Sequence, residues 1–251
     1  MGMIDTHAHY DASQFDGERD EIIRDVFANG VDKIITCATN FEDGANVLKL
    51  CEKYDGMYAA IGIYPHETVK YEWDKQRLVD MISHEKVVAV GEIGLDYYYD
   101  DSPKDTQIKW VENQLALANE LDLPISFHDR EAHFDTIELL KKYRPKGVVH
   151  CFSGSVESAK ETVKLGLSLG IGGVLTFKNA RVLPEVVKAV SLDKLVLETD
   201  APYMSPTPFR GKRNRSDYMI YVAEKIAEIK NETVEKVIDE TSQNAKRLFN
   251  I

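Results

Sequence analysis

Val87-Val88-Ala89-Val90-Gly91-Glu92 is an apolar, valine-rich run that stops on a carboxylate. Polar and apolar residues do not alternate in it. A strand with one wet face shows a polar residue at every second position, whereas a continuous apolar run suits a strand covered on both faces, as in a parallel sheet packed under helices. Short runs of the same kind recur over residues 3–7, 33–37, 58–63, 124–128, 147–151, 168–172 and 194–199. Apolar patterns of helical period fall between them, over 18–29, 106–121, 156–165, 182–190, 217–230 and 234–249. Ile22, Val26 and Phe27 share one side of the first, and Gly30 is placed to stop it. Trp110, Leu117 and Leu121 mark the second, which Pro124 prevents from running on. Ser155 is suited to cap the third at its N-terminus and Gly166 to close it. Eight strands, each followed by helical sequence, predict an α/β fold: a single-domain (β/α)8 TIM barrel over residues 1–251. An open doubly wound sheet is the competing arrangement.

The composition fits that size. A chain of 251 residues is long for one domain but ordinary for a barrel. Hydrophobic residues at 43% and charged residues at 29% are those of a soluble globular protein. No apolar run approaches the roughly 20 residues needed to cross a bilayer. Met1-Gly2-Met3-Ile4-Asp5 carries neither a basic region nor an apolar stretch, so no secretory signal is expected and the cytoplasm is the expected location. Gly2 with Thr6 loosely fits an acylation pattern, and Asn214-Arg215-Ser216 and Asn231-Glu232-Thr233 fit a glycosylation pattern. None has polybasic or secretory context to support it. Cys37, Cys51 and Cys151 are odd in number and widely spaced, which argues for reduced thiols against a disulfide framework or a thiolate zinc site. A net charge of −11 opposes general attraction to polyanions and excludes a non-specific nucleic-acid coat. It still allows an enzyme that handles a phosphodiester locally.

The chemistry lies where the strands end. The first breaks into Asp5-Thr6-His7-Ala8-His9, the third into Gly62-Ile63-Tyr64-Pro65-His66, and the fourth into Gly91-Glu92-Ile93-Gly94-Leu95-Asp96. The fifth ends in Phe127-His128-Asp129-Arg130, the sixth in Val149-His150-Cys151-Phe152-Ser153-Gly154, and the eighth in Glu198-Thr199-Asp200-Ala201-Pro202. In a barrel these segments converge at the C-terminal face, where active sites of this fold sit. His7 and His9 alternate along a strand, so both project to one face and can grip one cation. Each piece alone has an ordinary reading: a chance pair, a hydrogen-bonded histidine, a turn aspartate. Five of them on one face do not. His66 follows a proline in a turn and reads equally as a loop residue or a substrate contact. His84 and His133 are expected to be solvated, and the acidic stretch 96–101, with Tyr97, Tyr98 and Tyr99, reads as pocket lining, a helix cap or, by default, a solvated loop.

With Arg210-Gly211-Lys212-Arg213-Asn214 added, these motifs, in this order and over essentially the whole chain, resemble the TatD family of metal-dependent deoxyribonucleases, a branch of the amidohydrolase-like barrels. Two departures stand out. Tyr64 occupies the first histidine position of the family's usual Gly-Ile-His-Pro-His block, and Arg215-Ser216 follows Asn214 where the family usually has Glu-Pro. Both fall where substrate contact is expected.

The resemblance implies two divalent metal ions: His7, His9 and Asp200 on one, His128 and His150 on the other, and Glu92 bridging. Imidazoles and carboxylates in this mixture suit Zn, Mn, Co or Fe and tolerate Mg less readily. Asp200 is the expected general base, with Glu92 the second catalytic carboxylate. The implied substrate is DNA, with phosphodiester hydrolysis from 3′ ends of single strands. Arg130, Arg210, Lys212, Arg213 and Arg215 read either as phosphate contacts or as a solvated basic surface. Hydrolysis of a carboxylic ester or amide, such as an aminoacyl ester on tRNA or a lactone, is the alternative chemistry. A metal-binding scaffold without turnover is the alternative outside enzymes.

Overall fold

In the computed structural model, which describes residues 2–251, eight parallel strands pair in the order in which they occur in the chain. They are β1 (Met3–Ala8), β2 (Val31–Cys37), β3 (Met57–Ile61), β4 (Val87–Asp96), β5 (Ile125–Arg130), β6 (Gly147–Val149), β7 (Ser168–Ile171) and β8 (Leu195–Leu197). Helices α1 (Arg19–Ala28), α2 (Phe41–Lys53), α3 (Lys75–Ile82), α4 (Lys104–Glu120), α5 (His133–Tyr143), α6 (Val156–Lys164) and α7 (Val182–Ala189) connect successive strands. After β8 come α8 (Met219–Lys230) and α9 (Val234–Phe249). The consecutive order rules out the doubly wound sheet, whose strand order reverses at a switch point.

The ring is drawn shut between its first and last strands. Asp200 N–H donates to His7 O at 2.9 Å, His9 N–H donates to Ala201 O at 2.7 Å, and Ala8 bridges Ala201 in parallel. Buried Asp5 reinforces this seam. Its Oδ1 accepts from the N–H groups of His7 at 3.2 Å and Thr199 at 3.0 Å, and its Oδ2 from the hydroxyls of Thr199 at 2.5 Å and Ser216 at 2.7 Å. Because the Ser216 hydroxyl donates to Asp5, the Tyr10 hydroxyl must be the donor in its 2.8 Å bond to Ser216 Oγ. Burial pushes the Asp5 carboxyl up to about 6 against these bonds.

Local sequence explains most boundaries. Ser155 Oγ accepts from Ser158 N–H and caps α6, and Gly166, at φ 101°, follows its end. Gly30 adopts φ 92° after α1. Three helices beyond the six expected, α2, α3 and α5, are also present. Asn40 caps α2 and Asp74 caps α3 through the same side-chain bond. Strand β4 continues to Asp96, past its expected end at 92, because Gly94 pairs with His128 of β5 at φ 142°. A Cβ there would stand 2.0 Å from His128 O, so only glycine allows this approach.

The barrel is apolar at one end and polar at the other. Ile4, Ile35, Ala60, Val88, Val148 and Val196 come from six strands yet form one cluster with Ala245 and Phe249 of α9. Residues from six strands can meet only on the barrel axis. Ile4, Val88, Val148 and Val196 are each the second residue of their strand, so the last helix plugs the N-terminal mouth. The ionisable motifs occupy the opposite end. Phe249→Ala is expected to destabilise the fold by about 3–5 kcal/mol by opening a cavity in this plug. Urea unfolding measures it, and a loss below about 1 kcal/mol would mean that α9 is not a structural plug.

Candidate metal centre

Glu92 lies at the centre of the polar end, buried, with its two oxygens turned to different partners. Oε2 stands 3.5 Å from Nε2 of both His7 and His9. Oε1 stands 2.8 Å from His150 Nε2 and 3.0 Å from His128 Nδ1. Asp200 Oδ1 joins the first group, 3.4 Å from His9 Nε2 and 3.9 Å from His7 Nε2. Nε2 of His7 and of His9 are 3.2 Å apart, and His128 Nδ1 and His150 Nε2 are 3.0 Å apart. Donor atoms each 2.0–2.1 Å from one tetrahedral ion lie roughly 3.3 Å from one another, so these separations match the edges of coordination polyhedra. The donors fit a cation.

The far side of three of the imidazoles is held. His7 Nδ1 meets Ser126 Oγ at 2.9 Å, and His9 Nδ1 donates to Cys37 O at 2.9 Å. His128 Nε2 reaches Asp96 Oδ2 at 3.2 Å. Such outer partners fix which ring nitrogen faces inward. Asp96, expected in a solvated loop, is instead fully buried in β4. Its position was readable: Glu92, Gly94 and Asp96 alternate, so they share a face of one strand, as do Ser126 and His128 on β5. Tyr64, at one of the two departures from the family pattern, completes this layer. Its hydroxyl donates to Asp96 Oδ2 at 3.1 Å and lies 3.2 Å from His128 Nε2.

Two site residues take left-handed backbone, Asp200 at φ 56° and Cys151 at φ 45°. Aspartate tolerates that region better than most residues. Cys151 N–H donates to Glu198 Oε1 at 2.5 Å. Burial holds that carboxyl well above its ordinary range. A Cβ at position 170 would meet Glu198 Oε2 at 2.0 Å, so Gly170 makes room for it.

The electrostatics show a site built to attract positive charge. Burial raises the cost of ionising Glu92, but the surrounding imidazoles, His150 and His7 foremost and His128 by hydrogen bonding, outweigh it and hold the carboxyl well below its ordinary range. Asp200 is likewise held down by His9 against burial. Burial and the neighbouring His150 push His7 down to about 4. Burial also opposes the charge on His9 and His128. Asp200 and Glu92 nevertheless raise His9 to about 10, and Asp96 and Glu92 raise His128 to about 9.

The site opens into a cleft of about 1100 Å³, above the usual range for small-molecule pockets. Arg130, one of the expected substrate residues, lines it. So does Arg181, which the sequence did not single out because it lies in a connection without a motif. The other expected substrate residues are directed elsewhere. His66 Nε2 and Nδ1 lie 3.2 Å from Asp96 and 3.3 Å from Asp101. Arg213 donates to Gln14 O at 2.6 Å and to Glu18 Oε2 at 2.8 Å, tying the loop after β8 to the loop after β1. Arg210 packs its guanidinium 3.6 Å from the Phe177 ring centre. The second departure is structural as well. Arg215 pairs with Asp217 and Asp25 on the outside, and Ser216 is the buried partner of Asp5. His84 and His133 remain partly exposed, paired with Glu52 and Asp129. The three cysteines are free thiols. Among the described residues, no helix is long and apolar enough to cross a membrane.

A parallel barrel with imidazoles and carboxylates gathered at its C-terminal mouth defines a metal-dependent hydrolase. The family model for TatD related DNases matches residues 4–250, and the chain belongs to that family. It is 44% identical to an uncharacterized metal-dependent hydrolase, YabD of Bacillus subtilis, over 99% of both chains. The crystal structure of YjjV, a TatD homologue from Escherichia coli, superposes with a TM-score of 0.93 at 36% identity, covering 99% of this chain and 98% of that one. The 3′-5′ ssDNA/RNA exonuclease TatD of Escherichia fergusonii is 31% identical over 99% of both.

Because His9 and His128 are raised above neutral pH, each holds a proton that a divalent ion must displace. Loading at pH 7.5 is expected to release about two protons per chain, and apparent affinity to climb as pH rises toward 9–10. Titration calorimetry of Zn²⁺ into metal-free protein, in buffers of different ionisation heat, measures both. Affinity unchanged from pH 6 to 8, without proton release, would contradict the assignment.

Proposed function

We propose that the chain is a phosphodiesterase acting on single-stranded DNA, and that it works with two divalent cations. His7, His9 and Asp200 would hold one, His128 and His150 the other, with Glu92 giving one oxygen to each. The observation that carries this reading is the division of the Glu92 carboxylate between two imidazole pairs, the arrangement a bridging ligand needs. Divalent cations so placed supply charge neutralisation and ionise water near neutral pH. Zn, Mn, Co or Fe suits this donor set better than Mg.

The protein's own residues supply the rest. Asp200 stays ionised and is the more solvent-facing of the two inner carboxylates, its side chain 17% exposed against 4% for Glu92. It is therefore placed to accept the proton of an attacking water from the cleft. Asp96 and Ser126 keep His128 and His7 oriented. Arg130 and Arg181 are the two arginines lining the cleft and carry no ion pair among the described residues, which leaves both free for phosphate oxygens. The size of the cleft favours an extended substrate over a small ester. The relative named as an exonuclease supports the same reading.

One observation favours the aminoacyl-ester alternative. Asp11 lines the cleft beside His9, and its Oδ1 is buried without a partner. A carboxylate there suits an ammonium group better than a phosphate.

Single-stranded DNA, single-stranded RNA and an aminoacyl ester, each offered with Mn²⁺ or Zn²⁺ and again with chelator, separate these readings. Metal-dependent release of nucleotides from DNA is expected; turnover of the aminoacyl ester alone would overturn the proposal. Asp200→Asn should keep bound metal while lowering kcat by at least about 100-fold, and Arg181→Ala should chiefly raise KM. A metal-loaded Asp200→Asn variant with near-normal kcat would remove Asp200 as the base.

A further inference from the structure

Aromatic rings stand at opposite rims of the cleft. Tyr203 follows β8 and Tyr99 follows β4, and strands four places apart in a closed ring of eight lie across the barrel from one another. Both line the cleft, and each is 48% exposed. Between them runs a row of rings, some lining the cleft and some beneath it. Tyr203 stands 6.3 Å from His9, and His9, His7, His150 and His128 succeed one another at 5.0, 3.8 and 5.2 Å. Tyr64 and His66 carry the row on to Tyr99, 5.5 Å from His66. The candidate metal centre therefore lies between the two tyrosines.

Each tyrosine is supported from the side. Gln14 Nε2 donates to Tyr203 Oη at 3.4 Å, and Gln14 belongs to the loop that Arg213 ties down. At the other rim the Arg130 guanidinium lies 4.0 Å from the ring centre of Tyr98 and 5.0 Å from that of Tyr99, and the two rings meet edge to face at 4.7 Å. A single exposed tyrosine needs no explanation. Two on facing rims of one cleft, one of them beside an unpaired arginine, are the combination that binds unpaired nucleic acid: a flat face for a base and a cation for the backbone.

Building on the phosphodiesterase reading, we infer that Tyr203 and Tyr99 bracket the scissile phosphate, each stacking one base of a single strand. The base on the Tyr99 side has its phosphate against Arg130. Bases held in a duplex are already stacked on their neighbours and cannot reach both rims, so the bracket selects single strands. It also sets a minimum substrate, because one nucleotide is needed on each side of the bond that breaks.

The test pairs enzyme variants with gaps in the strand. Binding of a fluorescein-labelled DNA pentanucleotide is measured by anisotropy in chelator, so that no cleavage occurs. The same measurement is made with pentanucleotides carrying one abasic site at each position in turn. The proteins are the unmutated chain, Tyr203→Ala, Tyr99→Ala and Tyr203→Phe. Each alanine variant is expected to weaken binding of the intact strand by roughly five- to a hundredfold, and Tyr203→Phe to stay within about twofold. For each tyrosine there should be one strand position where the abasic site and the alanine substitution together cost no more than either alone. Those two positions should differ and lie on opposite sides of the bond cut by the Mn²⁺-loaded unmutated protein. If the unmutated protein binds the strand but gaps and substitutions act independently at every position, the bracket is overturned and the phosphodiesterase reading stands. If the unmutated protein neither binds nor cuts the strand, both fall.

Discussion

The carboxylate of Glu92 is fully enclosed yet shared, with one oxygen facing His7 and His9 and the other facing His128 and His150. An ionised carboxylate taken out of water is very costly unless positive charge accompanies it. The surrounding imidazoles offset that cost when no cation is bound, and bound metal would do so in the metal-dependent enzyme. The second carboxylate, Asp200, enters the same group from the loop that closes the barrel. One constraint, neutralising buried negative charge at the end of the barrel, therefore accounts for the ring of imidazoles, for the outer bonds that orient them and for the direction of the pKa shifts.

That centre can be held only because the barrel is asymmetric along its axis. Phe249 and Ala245 seal the N-terminal mouth with apolar volume. The opposite mouth is left to polar groups, several of which, Asp11 Oδ1 and His150 Nδ1 among them, are buried without a hydrogen-bond partner. Asp5 shows how the two tasks meet. It is buried at the seam between β1 and β8, and its four accepted bonds join the backbone of His7 and Thr199 to the hydroxyls of Thr199 and Ser216. The carboxylate that reinforces the seam also bonds His7 and Thr199, the residue before Asp200. Fold stability and site geometry depend there on one side chain.

The barrel and the inner residues of the site were legible in the sequence because both follow from strand periodicity. An apolar run that ends in His, Glu or Asp states the strand, its direction and the end at which its chemistry sits. His7, His9, Glu92, His128, His150 and Asp200 were all found that way, and the structure brings all six together. Asp96 was missed because β4 was read as ending at Glu92, although its alternation continues through Gly94. The basic residues 210–215 were not legible. Where a long arginine reaches depends on loop conformation, and Arg213 reaches Glu18, 195 residues away in the chain. Arg181 was passed over for the converse reason: it lies on the cleft wall without any neighbouring pattern. Ser216 read as a departure at an expected substrate contact and is instead a buried partner of Asp5.

The tyrosines on the facing rims and the two arginines that line the cleft give it a direction, from the seam of the barrel across to β4 and β5. In the proposed function they would contact a substrate on both sides of the Glu92 carboxylate. All of it rests on Glu92 standing between two cation positions. The most direct test is anomalous diffraction from crystals of the protein loaded with Mn²⁺ or Zn²⁺. Two peaks per chain are expected on either side of the Glu92 carboxylate, one against His7 and His9 and one against His128 and His150. A single peak, or peaks that leave Glu92 without a metal contact, would contradict the shared carboxylate.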